Sequence, residues 1–254
     1  MVITLAKEIF SRVEVKYKLN SAQKDLLIDA LKEHMEPDKY NIGGKVYTIC
    51  NIYYDTDNND IIQASVAKPV YKEKLRLRGY GIPKSNDKVY LEIKKKFKGV
   101  VNKRRTSLVL DEARKYIETK EMPEIKPYMN KQVLREIDYF LSIYDVKPAL
   151  YLAYDRLAFF DKDDKDFRVS FDTNVRTRRY DLDLELGDHG KLLIDEDTWL
   201  MEVKMNKNLP LWFTNLLSEN KIYRCSFSKY GTEYAKMIGK DRVENPDILR
   251  SALL

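Results

Sequence analysis

Along much of the chain, polar and apolar residues alternate with a period of two, the signature of a β-strand whose faces meet different surroundings. The clearest run is 71–81, Tyr-Lys-Glu-Lys-Leu-Arg-Leu-Arg-Gly-Tyr-Gly. Lys72, Lys74, Arg76 and Arg78 share one face, and Leu75 and Leu77 the other. A face that only has to be wet carries mixed polar residues. This one carries four cations, with side chains roughly 7 Å apart. The scheme recurs. Arg12, Glu14, Lys16 and Lys18 alternate with Val13, Val15 and Tyr17, and Glu92, Lys94 and Lys96 share one side of their strand. Glu202 and Lys204 stand between Met201, Val203 and Met205; Tyr154 and Arg156 share a face. Arg168, Ser170 and Asp172 oppose Phe167, Val169 and Phe171. So many charged faces predict an α+β fold: an antiparallel closed β-barrel whose charged side points inward as a tunnel and whose apolar side lies under helices. Ordinary small barrels are the reverse, filled by apolar side chains.

Helical signals fall between these runs. Asn20-Ser21-Ala22-Gln23 is a capping box opening a helix to about Met35, with Leu26, Leu27, Ala30 and Leu31 as its apolar stripe. A short helix over 61–67 stops before Pro69, and Asp111 is placed to cap another to about Lys120. Val133, Leu134, Ile137, Phe140 and Leu141 keep helical spacing within 130–144, and 209–219 and 229–238 close the chain as helices. Residues 47–54 read as a strand ended by a turn-forming run. Gly79, Gly81 and Pro83 join the cationic strand to the Glu92/Lys94 strand as a long hairpin. Further strands are expected over 106–110, 151–160 and 167–172. Asp181, Asp183 and Glu185 alternate with leucine and read as a solvated strand face. With no linker, repeat or low-complexity tract, residues 1–254 read as one domain.

Composition narrows the chemistry. The chain is 34% charged, above the typical quarter, yet its 46 Lys and Arg exceed its acidic residues by only six. That modest excess suits an acidic ligand rather than a histone-like coat. Cys50 and Cys225 give no disulfide framework, so a reducing compartment is the simpler reading. With only His34 and His189 beside them, a Cys/His zinc site and a Ser-His-Asp triad both lack material. The N-terminus is a poor signal peptide and no apolar run approaches the ~20 residues of a membrane helix, so a soluble, cytoplasmic protein is expected. There is no Walker-type or Gly-x-Gly-x-x-Gly loop. The basic run 94–98 divides between two strand faces, so no nucleic acid is expected as partner. No obligate protein partner is evident either.

Alternating carboxylates and cations on facing strands suit a tight polyanion with a divalent metal: Lys and Arg neutralise phosphate oxygens, and a carboxylate holds the ion that bridges them. Phosphoryl transfer is mostly positioning and electrostatic stabilisation, so fixed cations can catalyse it without histidine or a nucleophilic serine.

These residues also carry a resemblance. Arg12-x-Glu14-x-Lys16-Tyr17, Lys74-Leu-Arg76-Leu-Arg78, Leu91-Glu92-Ile93-Lys94 and Lys103 are followed by Tyr154-x-Arg156 and Arg168-Val-Ser-Phe-Asp172. Leu200-Met-Glu202-Val-Lys204 and Ser226-Phe-Ser228-Lys229-Tyr230 complete the order. The chain resembles the catalytic domain of the vacuolar transporter chaperone (VTC) polyphosphate polymerases, within the triphosphate tunnel superfamily. The resemblance implies a tunnel that binds ATP and extends inorganic polyphosphate, releasing ADP, with Mn2+ or Mg2+ as cofactor. It implies that Lys16, Arg76, Arg78, Lys94, Lys103, Arg156, Arg168 and Lys229 grip phosphates. Ser228 would donate a further hydrogen bond, and Arg12 and Tyr154 would sandwich the adenine. Glu202 would hold the metal; Glu14 and Glu92 are further candidate ligands or simply orient the cations. Superfamily hydrolases and cyclases commonly open with Glu-x-Glu-x-Lys, where this chain has Arg12. The lost carboxylate favours a polymerase over a tripolyphosphatase, the runner-up; a non-catalytic polyanion-binding module is the third reading.

Overall fold

The structure, a computed structural model, describes residues 13–98, 100–164, 166–206 and 208–244. In chain order its strands are β1 (Val13–Leu19), β2 (Met35–Pro37), β3 (Tyr47–Asp55), β4 (Tyr71–Tyr80), β5 (Lys88–Phe97) and β6 (Val100–Val109). They continue with β7 (Lys147–Asp161), β8 (Arg168–Arg178), β9 (Lys191–Leu192), β10 (Trp199–Met205) and β11 (Arg224–Cys225). The helices are α1 (Ser21–His34), α2 (Asp60–Val66), α3 (Leu110–Thr119), α4 (Lys131–Ile143), α5 (Leu211–Glu219) and α6 (Lys229–Glu244). All the strands join one antiparallel sheet in the order β11-β1-β10-β8-β7-β3-β4-β5-β6, with β2 beside β7 and β9 beside β8.

The expected mixed α+β architecture with a large antiparallel sheet is present. The hydrogen-bonded closure is not: the ladder is an open path ending at β11 and β6. Its charged faces nevertheless converge. Burial and the charges of Glu14 and Lys16 on β1 and Glu202 on β10 act together on Lys94 of β5, although those strands sit at opposite ends of the path. The right-handed twist of a long sheet brings such ends toward each other without requiring them to pair.

Two apolar clusters cover the side opposite the charged faces. Leu75, Leu77, Leu91 and Ile93 pack under Tyr116 of α3 and Ile137 and Phe140 of α4. Val15, Tyr17, Phe171 and Val203 pack under Leu27 and Leu31 of α1 and Phe213 of α5. Each such side chain, fully buried, stabilises the fold by about 1.5–3 kcal/mol. The third cluster departs from expectation, because it puts helices on the ionic side. Ile49, Leu152, Tyr154 and Leu200 interrupt the charged pattern there, and Ile62 of α2 with Tyr230 and Tyr234 of α6 pack onto them.

Helix starts follow local chemistry. At α1 the capping box forms as read: Gln23 N donates to Asn20 Oδ1 at 2.8 Å, and Asn20 N to Gln23 Oε1 at 3.2 Å. Asn130 caps α4 by accepting from Val133 N. Asp111, by contrast, lies inside the first turn of α3 rather than at its cap, where its charge still meets the positive end of the helix. The alternating stretch 181–185 is a loop, not a strand. Arg178, buried, donates to the carbonyls of Asp181, Asp183, Gly187 and His189, so the chain wraps a guanidinium instead of extending the ladder.

Candidate functional site

Strand register sets the site. Lys74, Lys94 and Lys103 lie abreast on β4, β5 and β6; one step further along, Tyr53, Arg76, Glu92 and Arg105 lie abreast on β3 to β6. Glu92 is the hub of this half. Its side chain is 1% exposed and meets Arg76 Nε at 2.7 Å, Lys103 Nζ at 2.9 Å and Arg78 Nε at 3.8 Å. Burial alone would raise its pKa, but Arg76, Arg78 and Lys103 outweigh that and hold it well below the carboxylate range. Arg78 is fixed further by Asn51 Oδ1 at 2.9 Å and Tyr154 OH at 3.1 Å, and Arg76 by Tyr53 OH at 2.9 Å. Burial opposes ionisation of Tyr53, yet Arg76, Arg78 and Lys74 bring its phenol down to about 8.

Asp172 is the hub of the other half. Arg156 grips it bidentately at 2.6 and 2.9 Å, and Lys229, the first residue of α6, reaches Oδ2 at 2.6 Å. A third group stands where β1 pairs with β10. Glu202 is opposite Lys16 and ion-paired with Lys204 at 2.6 Å; Glu14 meets Lys16 at 3.3 Å, and Lys16 donates to Phe227 O at 3.0 Å. Burial would pull the Lys16 ammonium down; Glu202 and Glu14 together push it up. Glu202 is kept ionised against burial by Lys204, Lys16, Arg156 and Lys229. Lys16, Asp172, Glu202, Phe227 and Lys229 line one narrow cavity.

The expected phosphate-gripping residues thus gather around three carboxylates, with two special cases. Lys94 has no ion-pair partner among the described residues, and burial holds its ammonium below the ordinary lysine value. Arg168 lies at the far end of β8, opposite Lys204, with its guanidinium 4.6 Å over the Phe160 ring. Ser228 stands immediately before α6, where its Oγ accepts from Gly231 N at 3.2 Å. Tyr154 is 3% exposed, its ring faced by Lys229 at 4.4 Å and Arg156 at 5.1 Å. Arg12 lies outside the described residues. His34 stacks on Trp212 and His189 sits beside Asp181 in the 181–190 loop, so neither belongs to the ionic groups.

Among the described residues, no group of three or more His, Cys, Asp or Glu side chains converges as a metal set. Glu92 is committed to three cations. Glu14 and Glu202, both acting on Lys16, offer oxygen donors on one side of the site. Mg2+ and similar hard ions need only one or two carboxylates when phosphate oxygens complete the shell, so this pair fits such an ion.

Pattern reading passed over Asp172, Asn51, Tyr53 and Lys74 as site residues. Asp172 shares a face with Arg168, and Lys74 belongs to the cationic strand, so both were within reach. Asn51, fully buried in a strand of Ile and Tyr, had only its polarity as a signal.

The match to known sequences runs over residues 11–238 and is to the VTC domain. The chain belongs to the VTC-domain family. No curated protein sequence matches it. This VTC domain is similar in fold to a candidate adenylate cyclase from Bacillus halodurans, at 15% identity and a TM-score of 0.53, over 87% of this chain and 94% of that one. It is similar also to a candidate adenylyl cyclase from Hippeastrum whose dominant activity is that of a triphosphatase, at 16% identity and a TM-score of 0.50, over 89% and 96%. At such identities the likeness is one of fold. No helix among the described residues of the VTC domain is long and apolar enough to cross a membrane.

Proposed function

We propose that this VTC domain is an ATP-dependent polyphosphate polymerase, transferring the γ-phosphate of ATP to a growing inorganic polyphosphate chain and releasing ADP. The observation that carries the reading is the distribution of charge. Arg76, Arg78, Lys103, Arg156, Lys204 and Lys229 are already positioned by buried or half-buried carboxylates, whereas Lys94 faces them without one. A polyphosphate arriving there meets oriented donors that need little rearrangement and supplies the anion Lys94 lacks.

In this reading Arg76, Arg78 and Arg156 bind the triphosphate and align the γ-phosphorus with the terminal oxygen of the polyphosphate chain. That oxygen is anionic at neutral pH, so no general base is required, in keeping with the placement of both histidines elsewhere. The bond from the attacking oxygen to phosphorus forms as the bond to the ADP oxygen breaks. Lys16, Lys94, Lys103 and Lys229 take up the charge moving onto the leaving oxygens. A divalent ion held by Glu202 and Glu14 with phosphate oxygens would supply further Lewis-acid neutralisation. Tyr154 and Arg12 are the proposed adenine contacts, and Ser228 a phosphate donor that also starts α6.

Incubation with ATP and Mn2+, separating long-chain polymer, free phosphate and unreacted ATP, tests the proposal. Polymer with stoichiometric ADP is the expected product. Free phosphate alone would replace the polymerase with a hydrolase, and no turnover would leave a binding module.

A further inference from the structure

The cations of the sheet are not evenly compensated. On the ionic face Arg76, Arg78, Lys103, Arg156 and Lys204 have carboxylates, whereas Lys72 at the start of β4 and Lys94 and Lys96 toward the end of β5 have none among the described residues. Lys72 and Lys96 are paired in register one step beyond Lys74 and Lys94, on the same face. Among the described residues none of Lys72, Lys94 and Lys96 meets a carboxylate at ion-pair distance. Lys72 Nζ instead donates to Ser65 O at 2.9 Å, at the carboxyl end of α2. Burial first, then Lys96, Lys68 and Lys94, depress the Lys72 ammonium, so these four cations feel one another. Lys68 and Lys98 add charge from the two bordering turns, tied together by Lys98 N donating to Val70 O at 2.9 Å. Both have positive φ, 56° and 45°, where glycine would be easier for the backbone. Lysine at both turns puts charge where backbone conformation alone would select against a side chain.

We infer that Lys68, Lys72 and Lys96 form a second binding track, continuous with Lys74 and Lys94, that holds the phosphate units of a long polyphosphate chain lying beyond the reacting triphosphate. A linear polyanion with about one charge per unit can follow this outer group and the inner cations together. Unpaired ammonium groups at strand spacing repel until such a chain neutralises them. The track rests on the polymerase reading for its biological ligand, but its affinity for polyphosphate can be measured without turnover.

The test is the triple variant Lys68→Ala, Lys72→Ala, Lys96→Ala, compared with the unaltered protein by calorimetry against tripolyphosphate and against long-chain polyphosphate. The expected result is a loss of at least about tenfold in long-chain affinity, a salt slope shallower by roughly 2, and unchanged tripolyphosphate affinity. In the ATP reaction the same variant should make shorter chains at an unchanged initial rate. Equal losses for both ligands, or none for either, would overturn the track. So would retained long-chain affinity with lost binding to vesicles rich in anionic lipid, which would give the patch to a membrane surface. If the unaltered protein makes no polymer while the selective loss persists, the polymerase reading fails and the track stands.

Discussion

Replacing Glu92 with Gln separates two roles for that carboxylate, as an organiser of cations and as a metal ligand. The substitution keeps the shape of the side chain and removes its charge, leaving Arg76, Arg78 and Lys103 around an uncharged amide. Glu92 is almost fully buried, with two cations within 3 Å. Breaking a buried ion pair by removing one partner typically costs about 3–5 kcal/mol, because the remaining charge stays desolvated. For a domain of this size each kcal/mol lowers Tm by roughly 2–4 °C, so a fall of about 6–20 °C is expected. The assay is thermal unfolding in the presence of a chelator, with and without tripolyphosphate. An organiser predicts the full fall in chelator and a larger tripolyphosphate rescue in the variant than in the unaltered protein, since the ligand replaces the missing negative charge. The difference should also shrink in acid. Although burial opposes it, the three cations depress the folded-state pKa of Glu92, so its stabilisation is complete above its unfolded value near 4.5 and is lost as pH falls through the lower folded one. A chelator-treated variant within about 2 °C of the unaltered protein would refute this account and return Glu92 to the candidate metal ligands.

Three further outcomes follow from the same charge map. Lys94→Met should leave Tm unchanged or raised, because it removes a partly buried ammonium with no carboxylate, while turnover measured by ADP release falls by about 10²–10³. Burial draws Lys74 down to about 8. Its charge is therefore lost above pH 8, and KM for ATP should rise between pH 8 and 9.5 in the unaltered protein but stay flatter in Lys74→Gln. The folded state then binds fewer protons than the unfolded one between about 8 and 10.5, so the Lys74 contribution to stability rises with pH across that window. Asp172→Asn frees Arg156 and Lys229 together; a loss of about 3–5 kcal/mol in denaturant unfolding is expected, with earlier exposure of α6 to hydrogen exchange.

Much of this was legible in the chain. Period-two alternation gave β4, β5, β8 and β10 and the face of each ionic residue, because a charged face against an apolar one fixes register. Capping chemistry marked the start of α1, and helical spacing marked α4. The 181–185 alternation misled because Arg178, three residues or more away, claims carbonyls a strand would have paired. The apolar floor of Ile49, Leu152 and Leu200 was hidden for a related reason: no single strand shows that these residues meet α2 and α6 on the ionic side. Nor does local spacing show which acid faces which base. Glu92 and Glu202 look equivalent in Leu-Glu-Ile-Lys and Met-Glu-Val-Lys. Register places Glu92 between Arg76 and Arg105 and Glu202 between Lys16 and Ser170.

That difference bears on how such a site works. If every acid on the ionic face were a metal ligand, the cations would lie in mutual repulsion until substrate and metal arrived together, and binding would have to organise them. Glu92 and Asp172 instead hold Arg76, Arg78, Lys103, Arg156 and Lys229 in place beforehand, which moves the ordering of long side chains from ligand binding into folding. The same economy cannot be extended everywhere, because a face fully neutralised by its own carboxylates would have no attraction left for phosphate. The uncompensated charge is concentrated on Lys72, Lys74, Lys94 and Lys96 of β4 and β5. A polyanion should therefore be drawn in along these two strands and gripped by the prearranged arginines. The order of events predicts that salt weakens entry through β4 and β5 far more than it disturbs the Arg156–Asp172 pair.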